Sequence, residues 1–567
     1  MRKLLLFTTL FIFTSFVYAQ KPNIVFVLVD DLGYGDLGYT GATDIPTPNI
    51  DQLANQGTKF TSAYAVHPFC GPSRMGLITG RYPHEFGAQF NLADNSSITK
   101  GIPTDQRMMS NMFQDAGYRT GLVGKWHLGD ESQYHPNNRG FDDFYGFLYG
   151  GHRYFPAQYK AAYNGPNSWV YNHPLEHNGT VVTDDDEYIT DELSHQGVRF
   201  INESVAANKP FFLFMSYNAP HSPLEAKTED MNVDVIKDIT DNDRRKYAAM
   251  VYAVDRGMKE IVDALKAKNV YNNTLIIFMS DNGGSLTFAA NNGPLSGQKG
   301  DTLEGGFRVP TFFHWPNNVP AGVNYDYPIT ALDFYPTFAH LAGATIQSDK
   351  DLDGLNIWSH VVAGTNARSN NEIIMSVRHD NASNRVGIRR GDWKAYRRNN
   401  SQDWKLYNLK NDIGETTNLS ATNSTILSEL KSAGAFIVKD FAEPLWFHST
   451  NAESAWNNNN MPNFEATFGE ALSTDDDENM FENSRFYFYP NPVKSKINFT
   501  INNAKSNMSD VILYDLQGRI IQSIQNLKQD KNNSFTLQLL PNIPNGVYIA
   551  KVKNSKSVFA YRIVVSK

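Results

Sequence analysis

Three short apolar segments in the first half of the chain are each followed at once by polar residues. The segments are Asn23–Val29, Phe211–Tyr217 and Thr274–Ser280. Unbroken apolar runs of this length are typical of strands buried on both faces of a parallel sheet. Because open α/β sheets collect ligands at the carboxyl ends of their strands, the polar residues after the three segments are predicted to share one site.

Other patterns predict a long helix and a separate terminal unit. Apolar residues recur on one face over 244–268, which predicts an amphipathic helix that packs on the core. The sequence pattern changes from about Thr345, which indicates a domain or subdomain boundary there. After residue 485, alternating segments with turns between them predict a small β-sandwich. The acidic stretch 473–484 before them is typical of a linker.

The first residues have the pattern of a signal peptide. Arg2 and Lys3 precede an apolar run that extends from Leu4 to Val17, and Ala19 provides a small residue for cleavage. The run is too short to anchor a protein across a bilayer, and no later stretch has the required length. We therefore predict a signal peptide over residues 1–19 and an exported protein without stable membrane insertion.

Charge and cysteine content narrow the classes of function. The chain has 567 residues, one cysteine and a formal net charge of −8. Residues 484–567 contain nine Lys, three Arg, three Asp and no Glu, so this tail carries +9 and the rest of the chain −17. An acidic main body disfavours nucleic acid as a partner. With one cysteine, no internal disulfide can form, and stability must come from the size of the core.

The single cysteine lies in a recognisable motif. Cys70-Gly-Pro-Ser-Arg74 is followed by Leu77, Thr79 and Gly80. This pattern resembles the signature of the sulfatase family, in which the cysteine is oxidised to formylglycine (3-oxoalanine), the catalytic aldehyde. The resemblance implies a formylglycine-generating maturase as a partner, and it suggests that Arg74 orients and polarises residue 70.

The resemblance covers roughly residues 21–440 and implies an architecture. The expected fold is α/β: an alkaline-phosphatase-like mixed central sheet flanked by helices over 20–344. A smaller C-terminal subdomain with an antiparallel sheet is expected over 345–472, where the segments around Trp404–Leu409 and Glu415–Leu419 resemble that part of sulfatases.

A metal site follows from the same resemblance. Asp30 and Asp31 match the paired aspartates that hold a divalent cation, and Asp281-Asn282 repeats the set of oxygen donors after another strand. Together with the side chain of residue 70, the resemblance implies one Ca²⁺ in each active site.

Three further motifs match the family's catalytic blocks. Lys125 and His127 lie in Gly-Lys-Trp-His-Leu-Gly, His221 lies in Ala-Pro-His-Ser-Pro, and Lys299 follows Pro-Leu-Ser-Gly-Gln. The resemblance implies that the two lysines bind sulfate and that His221 protonates the departing alcohol. His127 would act as the base that releases sulfate from a sulfoenzyme intermediate. Ser296 stands where the family commonly has Arg.

The tail resembles a second known family. Tyr489-Pro-Asn-Pro492, Val511–Arg519, Gly546–Val552 and Ile563–Lys567 follow one another over 485–567. Their order resembles the C-terminal sorting domain of the type IX secretion system of Bacteroidetes bacteria. The resemblance implies the type IX machinery as a partner and a secreted or cell-surface protein exported through the periplasm. We expect this domain to be needed for export and dispensable for chemistry.

Export past the outer membrane favours a polymeric substrate. We therefore expect a sulfated carbohydrate, a polysaccharide or its oligosaccharides, of marine algal type, with ulvan favoured over carrageenan, fucoidan or glycosaminoglycans. The segment around His152 and Arg153 mixes cationic and aromatic groups, and we predict both residues to bind substrate.

Two alternatives remain open at this point. One is a phosphodiesterase or phosphonate hydrolase of the same superfamily, which can share the Cys-x-Pro-x-Arg motif. The other is a catalytically dead protein that binds carbohydrate at the cell surface. The intact set of His127, His221 and Lys299 favours sulfatase chemistry over both.

Overall fold

The structure is a computed structural model, and it divides into two units, residues 1–471 and 472–567. It describes residues 21–93, 100–166, 168–347, 352–368, 372–380, 383–399, 401–438, 441–458, 486–489, 495–501, 508–515, 519–528, 534–553 and 558–565. The predicted signal peptide and acidic linker lie outside the described residues.

The first unit contains sixteen strands in its described part. In chain order they are β1 (Asn23–Val29), β2 (Thr58–Phe60), β3 (Ala63–Tyr64), β4 (Arg119–Lys125), β5 (Asp143–Phe147), β6 (Glu176–His177), β7 (Thr180–Val181), β8 (Phe211–Ser216), β9 (Thr274–Ser280), β10 (Thr311–His314), β11 (Val323–Tyr325), β12 (Ile329–Thr330), β13 (Ile374–Asp380), β14 (Ser383–Arg390), β15 (Trp393–Arg397) and β16 (Lys405–Asn408).

Thirteen α-helices accompany these strands in the described residues of this unit. They are α1 (Pro48–Asn55), α2 (Cys70–Thr79), α3 (Met109–Asp115), α4 (Pro156–Ala162), α5 (Ile189–Ala206), α6 (Thr228–Met231), α7 (Asp234–Lys237), α8 (Asn242–Ala267), α9 (Glu304–Phe307), α10 (Phe334–Ala342), α11 (Trp358–Ala363), α12 (Ser424–Ile437) and α13 (Thr450–Asn458). No helix among the described residues combines the length and the apolar character needed to cross a membrane.

A mixed central sheet of ten strands forms the centre of the first unit, in the order β11-β2-β10-β9-β1-β8-β4-β5-β6-β7. The three predicted strands are β9, β1 and β8, which are direct neighbours and run parallel. β8 ends at Ser216, one residue before the predicted end. Their carboxyl ends therefore lie side by side, as the sequence pattern requires for a shared site.

Both faces of the central sheet are buried, which explains why its strands have unbroken apolar sequences. Along β1, Ile24, Phe26 and Leu28 pack into one hydrophobic core and the alternate residues Val25 and Val27 into another. Helices α5 and α8 cover the second face. The predicted helix over 244–268 is α8, which begins two residues earlier because the Asp241 carboxylate accepts from the backbone N–H of Arg244 at 2.7 Å.

The predicted C-terminal subdomain is an antiparallel sheet in the order β13-β14-β15-β16, with α12 packed on it. A buried ion network joins it to the catalytic part. The Lys394 Nζ lies 2.9 Å from Glu304 Oε1 and 2.8 Å from Glu415 Oε1, with all three side chains inaccessible to water. Removing one member of such a network leaves an uncompensated buried charge, so the two parts are held as one body.

The second unit is a small all-β structure. Its strands in the described residues are β17 (Phe486–Tyr489), β18 (Lys496–Ile501), β19 (Met508–Asp515), β20 (Ile520–Lys528), β21 (Ser534–Gln538), β22 (Gly546–Lys553) and β23 (Val558–Val565). They form two sheets, β17-β18-β21 and β20-β19-β22-β23, which share one core that includes Leu513, Phe535 and Ile563. This is the predicted β-sandwich.

Candidate active site

The carboxyl ends of β1 and β9 bring the predicted oxygen donors together beside the first residue of α2. Asp30 and Asp31 follow β1, Asp281 and Asn282 follow β9, and Cys70 begins α2. The Cys70 Sγ lies 3.4 Å from Asp30 Oδ1 and 3.9 Å from Asp31 Oδ1. The site is thus assembled from segments that are far apart in the sequence but adjacent in the sheet.

Cys70 is buried in an environment that suppresses its reactivity as a thiol. Burial, followed by the negative charge of Asp30, raises the pKa of the Cys70 thiol well above its usual range. A cysteine nucleophile needs the opposite, a lowered pKa that provides thiolate. The burial of Cys70 and the position of the Asp30 carboxylate, 3.4 Å from its Sγ, therefore disfavour a thiolate nucleophile.

Each carboxylate around Cys70 is paired with a cation. Lys125 Nζ lies 2.5 Å from Asp30 Oδ2, and Lys299 Nζ lies 2.8 Å from Asp31 Oδ2. The Nε and Nη2 atoms of Arg74 both lie 2.9 Å from Asp281 Oδ2. The carboxylates are buried, so each pair offsets part of the cost of placing a charge away from water.

The electrostatics of the carboxylates differ according to their partners. Burial opposes ionisation of Asp30, but Lys125, His221 and Arg74 hold its pKa well below the usual range. Burial and the nearby Asp30 carboxylate raise the pKa of Asp281 in spite of its Arg74 partner. Arg74 thus pairs with Asp281 and also lies 4.0 Å from Asp30 Oδ2, and its predicted action on residue 70 stays a prediction.

The residues present fit a divalent cation. The Asn282 Oδ1 atom is buried and has no hydrogen-bond partner, while its Nδ2 donates to Asp31 Oδ1 at 2.7 Å. Ligand atoms of Asp30, Asp31, Cys70 and His221 all lie within 4.8 Å of one another. An unpartnered amide oxygen beside two carboxylates is a donor set suited to a hard cation.

The two predicted catalytic histidines present their ring nitrogens differently. The Nδ1–H of His221 donates to the backbone oxygen of Ser222 at 2.7 Å, and its Nε2 lies 3.7 Å from Asp31 Oδ2. Both ring nitrogens of His127 are buried and have no partner. Burial lowers the pKa of both histidines, with the positive charge of Lys125 as a further cause for His127.

The turn after β4 places His127 in the site. Gly124 has φ of 109°, and a side chain there would meet the backbone oxygen of Ser216 at 2.0 Å. His127 itself has φ of 62°, which is uncommon for a residue with a side chain. This backbone places Lys125 Nζ against Asp30 and the His127 ring near Gly71, the residue after Cys70.

A cavity of 340 Å³ opens onto this cluster. Cys70, His127, His221 and Lys299 are among its lining residues. Lys125 is not, and it is wholly inaccessible to water. The structure therefore separates the two predicted sulfate-binding lysines, with Lys299 facing the cavity and Lys125 lying behind Asp30.

The cavity also has walls that sequence reasoning missed. Gln89, Asn91 and Tyr171 line it from the catalytic part, and Arg378, His379 and His448 line it from the C-terminal part. Arg378 and His379 lie on β13, whose sequence carries no motif. Arg378 and His379 reach the cavity because β13 lies beside the central sheet.

The C-terminal sheet also holds the segment that carries Lys299. Arg378 Nη1 donates to the backbone oxygen of Gly300 at 2.6 Å, and Arg385 forms an ion pair with Asp301. On the other side of this segment, Ser296 Oγ donates to the backbone oxygen of Gly414 at 2.6 Å. Lys299 thus depends on both parts of the first unit for its position.

The structure corrects the prediction for His152, while substrate binding by Arg153 stays a prediction. His152 is buried, and its two ring nitrogens face the backbone oxygens of Arg153 and His173 at 2.6 and 2.7 Å. Arg153 forms an ion pair with Glu225 at 2.7 Å, and neither residue lines the cavity. The mixture of charged and aromatic residues in this segment gave no information on the direction of each side chain. In the structure, the His152 ring links the backbone of its own loop to that of His173.

Three family models match the chain. Residues 22–344 match the model described as Sulfatase, and residues 299–433 match N-sulphoglucosamine sulphohydrolase, C-terminal. Residues 487–566 match the secretion system C-terminal sorting domain, which indicates export to the cell surface or beyond. The first of these models alone covers more than half of the chain.

Individual sulfatases and solved structures are also similar to this chain. Arylsulfatase J of Mus musculus is 36% identical over 347 residues, which span 61% of this chain and 56% of that protein. The crystal structure of Ps i-CgsB is 49% identical with a TM-score of 0.77, and the match covers 80% of this chain and 100% of that one. A complex of Ps i-CgsB with k-i-k-neocarrahexaose is 48% identical with the same TM-score and coverage. The chain belongs to the sulfatase family of sulfuric ester hydrolases.

Proposed function

We propose that this protein hydrolyses sulfate esters on a sulfated carbohydrate, yielding a free hydroxyl group and sulfate. The observation that carries the proposal is the charge-balanced cluster around Cys70 at the base of the cavity. It combines a thiol with a raised pKa, paired carboxylates, the partly buried Lys299 and two histidines around one cavity. Such a site can hold a sulfate group and move protons around it.

The substrate class that we favour is a carrageenan-type sulfated galactan. Support comes from the structure of Ps i-CgsB in complex with k-i-k-neocarrahexaose. Ps i-CgsB is 48% identical to this chain, and the match covers 80% of this chain. The sequence alone favoured ulvan, and that preference had no counterpart among specific residues. The carrageenan assignment therefore replaces it within the same class of sulfated algal polysaccharide.

Two groups beyond the twenty amino acids complete the proposed chemistry. Formylglycine at position 70, produced by a maturase, would supply in its hydrated form a hydroxyl nucleophile that the suppressed thiol cannot provide. Ca²⁺ held by Asp30, Asp31, Asp281 and Asn282 would supply positive charge against the sulfate oxygens.

The chain's own residues bind the sulfate and move the protons. Lys299 contacts sulfate oxygens in the cavity, while Lys125 supports the negative charge of Asp30 from behind. His221 donates a proton from Nε2 to the departing sugar oxygen, because its Nδ1 is held by Ser222. His127, with both nitrogens unpartnered, accepts a proton at residue 70.

The division of the chain is also part of the proposal. Residues 20–344 and 345–472 form the enzyme, 473–484 the linker and 485–567 the sorting domain. We expect the enzyme part to be self-sufficient for chemistry, because every described residue that lines the cavity belongs to the first unit.

Sulfate release from defined oligosaccharides tests the proposed function. The matured protein should release sulfate from carrageenan oligosaccharides faster than from ulvan oligosaccharides. It should leave bis(4-nitrophenyl) phosphate nearly untouched. Faster hydrolysis of the phosphodiester, or no sulfate release from any sugar, would contradict the function; preference for ulvan would contradict only the substrate class.

Calcium should stabilise the folded protein through Asn282. Binding at 100 times the Kd contributes about 2.7 kcal/mol to the free energy of unfolding, so Tm should rise as CaCl₂ is added to the EDTA-treated protein. Asn282→Ala removes the unpartnered oxygen and should reduce this rise, whereas Asn324→Ala, at an exposed strand position, should not. Equal calcium responses in the wild type and Asn282→Ala would argue against the grouping of ligands.

The leaving group should distinguish the two histidines. A general acid matters most when the departing alkoxide is unstable, so His221→Ala should lower kcat on a sugar sulfate by about 10²–10⁴-fold and on 4-nitrophenyl sulfate far less. His127→Ala should reduce both by similar factors, because it acts at residue 70. The exposed His195→Ala serves as control. A uniform loss in His221→Ala would show that the roles are assigned wrongly.

A further inference from the structure

An exposed aromatic surface continues outward from the cavity. Trp169 is 47% exposed, and its ring stacks on that of Tyr171 with centroids 4.3 Å apart and planes inclined by 24°. Tyr171 lines the cavity, where its ring centroid lies 6.3 Å from that of His221. One stack of two rings therefore connects the predicted proton donor with the outer surface.

Contacts around Trp169 fix the ring in place. The guanidinium of Arg153 lies 5.8 Å from the centroid of the Trp169 ring. Arg153 Nε donates to Asn172 Oδ1 at 3.1 Å and its Nη1 pairs with Glu225 at 2.7 Å, while the Asn172 N–H donates to the backbone oxygen of Trp169 at 2.9 Å. The ring is thus positioned before any ligand arrives, which reduces the entropy cost of binding.

The fold does not require this exposure. A tryptophan that leaves nearly half of its surface in water contributes only part of its burial energy to folding. Tyr163 is also exposed by 38% and packs edge-on against His173. Exposed apolar patches next to a cavity are typical of ligand-binding grooves.

We propose that Trp169, Tyr171 and Arg153 form an outer subsite for a second sugar residue of the sulfated polysaccharide, next to the residue that carries the scissile ester. The flat Trp169 ring stacks against the C–H face of that sugar. Arg153, whose charge is paired with Glu225, holds the Trp169 ring in place at the same surface. This inference rests on the proposed function and extends it from one sugar to an oligosaccharide.

Because the stack of Trp169 on Tyr171 continues outward from the cavity, we expect its ligand to be the next sugar of the bound chain. A sugar bound at His221 would project its neighbour along Tyr171 towards Trp169, so both would belong to one chain. The related Ps i-CgsB was crystallised with k-i-k-neocarrahexaose, a ligand longer than a single sugar.

Chain-length dependence tests the outer subsite. Trp169→Ala should lower kcat/KM on a carrageenan hexasaccharide by about 10-fold, mainly through KM, because an exposed Trp anchor contributes to binding and not to chemistry. Activity on 4-nitrophenyl sulfate, which has no second sugar, should stay unchanged. Trp169→Phe should restore most of the loss, and Trp169→Leu, which keeps apolar contact with Tyr171 but lacks a ring, should not.

Tyr327→Ala is the matched control, since Tyr327 is 41% exposed and does not line the cavity. An equal loss in Tyr327→Ala, an equal loss on 4-nitrophenyl sulfate, or unchanged hexasaccharide kinetics in Trp169→Ala would each overturn the subsite. If the wild type releases no sulfate from any sugar, the proposed function fails separately. Calorimetric titration with the hexasaccharide then decides the subsite, which is overturned if Trp169→Ala binds as tightly as the wild type.

Discussion

The pairing of buried charges around Cys70 is the constraint on which the rest of the structure depends. Asp30, Asp31 and Asp281 each lie against the side chain of a lysine or arginine, and burying a carboxylate without such a partner is costly. The parallel strands bring the carboxylates to one edge of the sheet. The cations must reach them from three other segments, so each of these segments is fixed to within hydrogen-bond distance.

The C-terminal sheet has a structural role in this arrangement as well as a place in the cavity wall. Arg378 and Arg385 of this sheet bind Gly300 and Asp301, next to Lys299. The buried ion pair of Lys394 with Glu304 holds α9, the helix that follows this segment. A Lys299 displaced from Asp31 would leave one carboxylate uncompensated. The second part of the enzyme is therefore needed for the geometry of the first, although it supplies none of the family's catalytic motifs.

Sequence reasoning predicted the central strands and the cluster because these features have local signals. β1 and β9 have unbroken apolar runs with the predicted bounds, and the polar residues after them meet at the sheet edge. Arg378 and His379 had no such signal, since their presence in the cavity depends on how one sheet packs against another. His152 was misassigned because composition does not reveal whether a ring points to solvent or, as here, between two backbone carbonyls.

Mass spectrometry of the peptide that contains residue 70, isolated from active protein, tests the central claim most directly. Burial and the Asp30 carboxylate raise the pKa of the Cys70 thiol, and the proposed function therefore uses an oxidised side chain at this position. The account predicts the aldehyde or its hydrate at position 70, in proportion to specific activity across preparations. Fully active protein that carries only the unmodified thiol would contradict it.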